Sequence, residues 1–212
     1  MKQKTLILLS FLVLLSCGKK VTVKGRVYNP IDNEGIEGVD VQLSRSKVGF
    51  FSYDGAGSKA IENTTTDQDG NYLINYRHNN RSFRLFFSVD KEKYINTEPV
   101  QYNISQQNNT IDVPLVPVSY IKHHIKNINC FDENDKVEIF SCNEFLQQQC
   151  ELSWGGQVGY NGCFESTTDN YAKSPSGKMY YHWIVTKNNT VTHHYDTLFL
   201  EPFQEHYFEI LY

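Results

Sequence analysis

The chain has 212 residues, with 20 Lys and Arg against 24 Asp and Glu, giving a formal net charge of −4. A hydrophobic fraction of 40% and 14% aromatics are enough to build cores, which argues against a disordered chain. The mild acidity argues against the basic face of a nucleic-acid binder, and the length fits one or two domains.

Residues 1–16 read MKQKTLILLSFLVLLS. Lys2 and Lys4 give a positive start, and Leu6 to Leu15 is apolar apart from Ser10. The run is shorter than the about 20 residues that span a bilayer, and it has the form of a signal peptide. Leu14-Leu15-Ser16-Cys17 at its end resembles the lipobox of bacterial lipoproteins. That resemblance implies removal of residues 1–16 and lipidation of Cys17, whose acyl chains would hold the protein on a membrane. Taking 16 residues from 212 leaves 196, and the loss of two lysines moves the charge from −4 to −6. Gly18 stands where retention at the inner membrane favours Asp, so the resemblance implies the outer membrane of a bacterial envelope, with the face left open. Residues 17–20 are then a lipidated cysteine and a short tether, and the first strand is expected from Val21.

Beyond Cys17 the chain shows no long helical period. Short runs alternate apolar and polar residues between turn-forming Gly, Asn, Asp and Pro, the pattern of an all-β protein. Val21, Val23 and Val27 form one such set, and Val39, Val41 and Leu43 the next. Tyr72, Ile74 and Tyr76 follow the Asp69-Gly70-Asn71 turn. Phe83, Leu85, Phe87 and Val89 make a further strand, as do Ile111, Val113 and Leu115. Strand side chains alternate between faces, so each set lines one core.

Gly25-Arg26-Val27, Gly35-Ile36-Glu37-Gly38-Val39-Asp40-Val41-Gln42-Leu43 and Thr66-Asp67-Gln68-Asp69-Gly70-Asn71-Tyr72 occur in that order. Together they resemble the carboxypeptidase regulatory-like domain, with Glu37 where that family usually has Pro. The resemblance covers residues 21–117 and implies a seven-stranded, prealbumin-like β-sandwich that serves as an accessory module without catalytic residues. Inside it, the stretch after Leu43 up to Thr64 lacks a period and carries Phe50, Phe51 and Tyr53 beside Asp54-Gly55-Ala56-Gly57. It reads as a long loop whose aromatics either fold back on the sandwich or form a recognition surface.

Pro114 and Pro117 mark the expected boundary, and residues 118–212 form a second β-rich sandwich, disulfide-stapled, with a general immunoglobulin- or fibronectin-like look. Met179 to Lys187 is a strand, Asn188-Asn189 a turn and Thr190 to Leu200 the return strand. His206 to Tyr212 is a final strand with apolar residues on both faces, which predicts a central position. Phe145 to Gln149 fits a helical turn.

Cys130, Cys142, Cys150 and Cys163 fall within this second module. An even number of cysteines in an exported chain favours disulfides, and the three possible connectivities are left open. Their spacings do not fit common zinc ribbons, and no metal or cofactor is expected. The pairs His123-His124 and His193-His194 point to opposite faces of a strand, so neither pair binds one ion easily, although His182 could meet one member of each across strands. His123, between Ile121 and Ile125, is expected to be partly buried. Asp67-x-Asp69-x-Asn71 has the beginning of a calcium loop, but Tyr72 and His78 occupy positions that need Gly and Glu, so a tight turn is the better reading.

Nucleophile-elbow, phosphate-loop and zinc-helix motifs are absent from the sequence, so no catalytic residue is expected. Trp154 and Tyr160 join Phe50, Phe51 and Tyr53 as candidate ligand-binding aromatics. The expectation is a non-catalytic, membrane-anchored lipoprotein acting as a structural or interaction module. A glycan- or peptide-binding surface protein is the alternative, and an accessory subunit of a hydrolase ranks behind both. The expected partners are the membrane, through the lipid, and an envelope protein or glycan.

Overall fold

A computed structural model describes residues 19–47, 59–78, 83–97, 102–104, 106–146, 158–168 and 170–212. Among these residues the regular structure is all strand, save one short 3-10 turn at Glu144–Leu146. No helix among them is long and apolar enough to cross a membrane. The chain forms two compact units divided between Val113 and Pro114, and two short stretches, Asn29–Asn33 and Lys91–Glu98, belong to the second.

The first unit contains β1 (Lys19–Tyr28), β2 (Asp40–Lys47), β3 (Lys59–Thr65), β4 (Asn71–His78), β5 (Phe83–Asp90), β7 (Tyr102–Ile104) and β8 (Asn108–Thr110). The intervening β6 (Tyr94–Asn96) belongs to the second unit. β1 pairs antiparallel with β4 and parallel with β8, while β3, β2, β5 and β7 form an antiparallel sheet. Alternation places Val21, Val23 and Val27, Val41 and Leu43, Tyr72 and Ile74, and Leu85, Phe87 and Val89 in one buried core. Each such side chain contributes on the order of 1.5–3 kcal/mol by leaving water. This is the expected seven-stranded sandwich.

Three details differ from expectation. β1 begins at Lys19, so Lys19 and Lys20 are strand residues rather than tether. β2 continues to Lys47, and β3 takes up the end of the stretch expected to be loop. Ile111 and Asp112 lie between β8 and the next strand, because their polar groups serve other elements. The Ile111 N–H donates to the Lys24 carbonyl, and its own carbonyl accepts from the Tyr72 hydroxyl at 2.6 Å. The Asp112 carboxylate accepts the Arg26 N–H at 2.9 Å.

The motif residues hold this unit closed. Gly35 and Gly70 pass so close that a Cβ on Gly35 would strike the Asp69 carbonyl, and one on Gly70 the Val27 carbonyl. Gly70 also has a φ of 79°, in the left-handed region. Thr66 is buried, donates its hydroxyl to the Ile36 carbonyl at 2.6 Å and accepts the Val39 N–H at 2.9 Å. The Asp67 carboxylate accepts from the Asp69 and Asn71 N–H groups at 3.0 and 2.7 Å. Those acceptor positions build the turn, as the sequence reading favours over a calcium loop.

In the second unit, β9 (Val113–Lys126) pairs antiparallel with β6, β12 (Glu165–Thr167) and β13 (Ala172–Pro175), and parallel with β16 (Glu205–Leu211). A second sheet has the order β11 (Val158–Asn161), β10 (Lys136–Asn143), β14 (Gly177–Lys187), β15 (Thr190–Leu200). Ile121, Ile125, Val137, Ile139, Tyr181, Val185, Leu200, Phe208, Ile210 and Tyr212 form its core. Pro114 and Pro117, expected at the boundary, lie inside β9, and the units divide directly before Pro114. Pro117 joins the ladder through its carbonyl, which accepts the Ser176 N–H at 2.8 Å. The final strand is not central. Among the described residues β16 pairs only with β9, and Tyr207 and Leu211 are exposed while Phe208 and Ile210 are buried.

The irregular segment after β9 is held by side chains. Asp135 is buried and accepts from the Asn127 amide at 2.9 Å and the Phe131 N–H at 2.8 Å. These bonds hold its carboxyl below the usual range. Lys187 donates to the Asn127 side-chain oxygen at 2.7 Å and to the Asn129 carbonyl at 3.0 Å. Cys130 and Cys163 are joined by a disulfide with a Cα–Cα distance of 5.2 Å.

Two predictions follow from this packing. Gly35→Ala should cost about 1–3 kcal/mol through forced backbone displacement, read as a lower denaturant midpoint. The second concerns His124, whose Nδ1 faces Glu209 at 3.0 Å and whose Nε2 faces Glu165 at 3.3 Å. Only the doubly protonated ring donates to both carboxylates. The hydrogen bond to Glu209, then that to Glu165, raises the His124 pKa. Lys126, then His124, lowers that of Glu165, which keeps it ionised in mild acid. The stabilisation from His124 is therefore complete below its unfolded pKa of about 6.5 and lost as pH rises through the folded value. His124→Gln should lower the melting temperature more at pH 5 than at pH 9. An equal loss at both would refute the assignment.

Candidate functional site

The best-defined surface feature grows from one hairpin. β14 reads GKMYYHWIVTK and β15 reads TVTHHYDTLFL, joined by Asn188-Asn189. Both asparagines have positive φ, 45° and 57°. That is the two-residue, type I′ geometry, whose twist matches paired strands and which Asn tolerates. The ladder runs unbroken from Lys187 opposite Thr190 to Gly177 opposite Leu200.

Alternation along β14 sorts its crowded apolar run. Tyr181 and Val185 are in the core, and Met179 and Trp183 pack against it. Tyr180, His182 and Ile184 therefore face away. The register sets Phe140 of β10, His182 of β14 and Tyr195 of β15 side by side on that outer face. Their rings stack in a row. Phe140 and His182 lie 5.5 Å apart at 24°, and His182 and Tyr195 lie 4.4 Å apart at 5°. His193 stacks on His182 at 5.3 Å, and the His182 Nε2 meets the His193 Nδ1 at 3.1 Å. One ring donates and the other accepts, so the pair cannot carry both protons and keep this bond. Partial burial, then the proximity of His193, pushes the His182 pKa down, which favours its neutral form.

The row opens to solvent at its β15 end. Tyr195 is 71% exposed, whereas Phe140 and His182 are half-buried. Flat rings fixed on a sheet offer π-faces for stacking and apolar area for contact without first being ordered. Nothing in the arrangement pairs a nucleophile with a base and an orienting group. Among the described residues no three His, Cys, Asp or Glu side chains are placed to share a metal ion.

The sequence candidates fall elsewhere. Phe50, Phe51, Tyr53, Trp154, Cys17 and Cys150 lie outside the described residues. Tyr160 stacks on Phe164 at 4.1 Å, and both pack against the core of the second unit, so Tyr160 is a packing residue rather than an exposed binding ring. Cys130 and Cys163 form a disulfide, and Cys142 is disulfide-bonded as well. His123 is half-buried, as expected. Its Nε2 meets the Tyr181 hydroxyl at 2.8 Å, and burial lowers its pKa. Of the cross-strand meetings open to His182, the one with His193 occurs.

The first unit carries an open groove of about 470 Å³ on the β3-β2-β5 sheet, lined by Asp40, Gln42, Asn63, Thr64, Ser88 and Asp90 among others. Its lining mixes polar and apolar groups, with Val41 and Val89 among them, and includes no histidine or cysteine. Phe140, His182 and Tyr195 were absent from the sequence candidates. The signal was nevertheless present. A two-residue Asn-Asn loop fixes which residues of the two strands oppose each other, and that register puts Tyr195 against His182.

No family model matches the chain, and no curated protein matches it. Several solved structures are similar at low identity. The Bacillus anthracis TIE protein is 13% identical, with 91% of this chain aligned to 34% of that one and a TM-score of 0.36. A streptococcal ancillary pilin is 13% identical over 90% of this chain and 62% of its own, with a TM-score of 0.34. The shaft pilin SpaA of Lactobacillus rhamnosus GG is 9% identical over 92% of this chain and 97% of its own, with a TM-score of 0.37. The chain thus spans about a third of the length of the first of these proteins and about three fifths of the second. Similarity of this degree assigns neither a ligand nor an activity.

Proposed function

We propose that the chain is a non-catalytic contact module of the bacterial cell envelope, anchored by lipid at Cys17 and working through the ring face of its second unit. The observation that carries the contact reading is the stacked row of Phe140, His182 and the exposed Tyr195, held in register by strand pairing. Large exposed rings cost stability unless a contact uses them, and these are ordered in advance of one. The anchor rests on the Leu14-Leu15-Ser16-Cys17 motif, and Gly18 supports the outer membrane.

The same rings favour one specific alternative, a glycan-binding surface. A sugar ring presents C–H groups that stack on neutral aromatic faces, and the lowered pKa of His182 favours its neutral ring.

Three measurements test these readings. Cys17→Ala should stop lipid processing and move the chain from the membrane to the soluble fraction, and unchanged fractionation would refute the anchor. On a glycan array, the glycan reading expects a reproducible ligand whose binding falls roughly 2- to 13-fold with Tyr195→Ala, the equivalent of losing about 0.5–1.5 kcal/mol of stacking. Hydrolase activity in the purified chain would overturn the non-catalytic assignment.

A further inference from the structure

Among the described residues β15 is the longest strand at a sheet end. β7 has three residues and β11 four. β3 carries Lys59 and Glu62, and its pairing with β2 shifts register between Leu43 and Ser44. Short length, charge and bulges are the usual means of blunting an edge against another chain. β15 is neither short nor bulged, and it carries a single formal charge. It runs for 11 residues in unbroken register, contains no Lys, Pro or Gly, and among the described residues pairs only with β14. Its one formally charged residue is Asp196.

The direction of the free backbone groups follows from the turn. In a two-residue hairpin the closing pair, Lys187 and Thr190, is the hydrogen-bonded one, and bonded pairs alternate from there. Thr190, Thr192, His194, Asp196 and Leu198 turn their N–H and C=O groups towards β14. Val191, His193, Tyr195, Thr197 and Phe199 turn theirs outward. The Thr197 N–H confirms this direction, since it donates to the Asp196 carboxylate at 2.7 Å instead of to a strand.

We propose that this edge pairs antiparallel with the same edge of a second copy of the chain, about a two-fold axis at Tyr195. Tyr195 is the midpoint of Thr190–Leu200, so this register gives the longest overlap. It sets Tyr195 opposite Tyr195 of the second copy, His193 opposite Thr197, and Val191 opposite Phe199. On the other face it sets Thr192 opposite Leu198 and His194 opposite Asp196, twice by symmetry. Moving the axis one residue back would put His194 against His194, and moving it one residue forward would put Asp196 against Asp196. Only the central register matches the acidic group to a basic one. It also frees Asp196 for His194, because the Thr197 N–H gains the His193 carbonyl of the second copy. The ring rows of the two copies then join across the axis. A single edge ladder is small beside the about 1,200–2,000 Å² of a standard interface, so the dimer is reversible. The proposal does not depend on the lipid anchor or on a glycan.

The test uses the full chain purified in detergent. Tyr195→Cys should form a covalent dimer on mild oxidation, seen on a non-reducing gel, because its two copies face each other across one ladder. Thr190→Cys should not, since its copies would stand about 33 Å apart at about 3.3 Å per residue. Sedimentation at tens of micromolar should show dimer for the unmodified chain. Thr197→Pro should give monomer with an unchanged melting temperature, because it removes an outward N–H and leaves the β14 ladder intact. His194→Asp alone should weaken the dimer, and adding Asp196→His should restore it. Equal cross-linking of the two cysteine variants, a monomer at every concentration, or a double swap no better than His194→Asp would overturn the proposal.

Discussion

The Asn188-Asn189 turn fixes most of what is distinctive in the second unit. Its two left-handed residues close the β14–β15 hairpin with a two-residue loop, and that loop sets the register of eleven residue pairs. Because side chains alternate strictly, a slip of one residue would bring the exposed Tyr195 and His193 to the core face and turn Leu198 and Leu200 outward. The stacking of Tyr195 on His182, the meeting of His182 with His193, and the outward direction of the Thr197 N–H all follow from this single constraint.

The two units use their distinctive residues for different ends. In the first, the motif residues are consumed by chain closure. Gly35 and Gly70 allow backbones to touch, Thr66 bridges Ile36 and Val39, and Asp67 ties its own turn. Groups committed to such bonds are not available to a ligand, so the motif speaks for a fold rather than an activity. In the second, the sheet carries more large side chains than its core can take, and the surplus stands in a row on the outer face. Burying Tyr181, Val185 and Leu200 on one side is what holds Tyr180, His182 and Tyr195 on the other.

The segment after β9 shows a third way of obtaining order. It has little apolar surface, and Ile128 and Phe131 are exposed. Its conformation rests on polar bonds converging on Asp135 and on the Cys130–Cys163 disulfide. A bridge across a sequence separation of 33 residues removes about 3–4 kcal/mol of chain entropy from the unfolded state in the loop-closure account. That is comparable to burying one or two large apolar side chains. The staple therefore stands where the hydrophobic core does not reach.

The amino-acid sequence alone was sufficient for the all-β class, for most strands, for the β14–β15 turn and for the turn role of Asp67, because alternation and turn chemistry act over a few residues. It was also sufficient to narrow the cysteine bonding to a short set of pairings. Tertiary structure decided which pairing Cys130 makes, since that depends on which strands lie side by side. It set the boundary prolines Pro114 and Pro117 within the strand β9, because pairing with other strands continues through them. It placed β16 at an edge, although both faces of that strand carry apolar residues. It also chose the faces of β14, where Tyr, His and Trp occur at consecutive positions and the period is unreadable. An alternating pattern names the side of a strand that is buried. A continuous one leaves that choice to the neighbours, and here the neighbours turned Tyr181 inward and left His182 beside Tyr195 in the solvent.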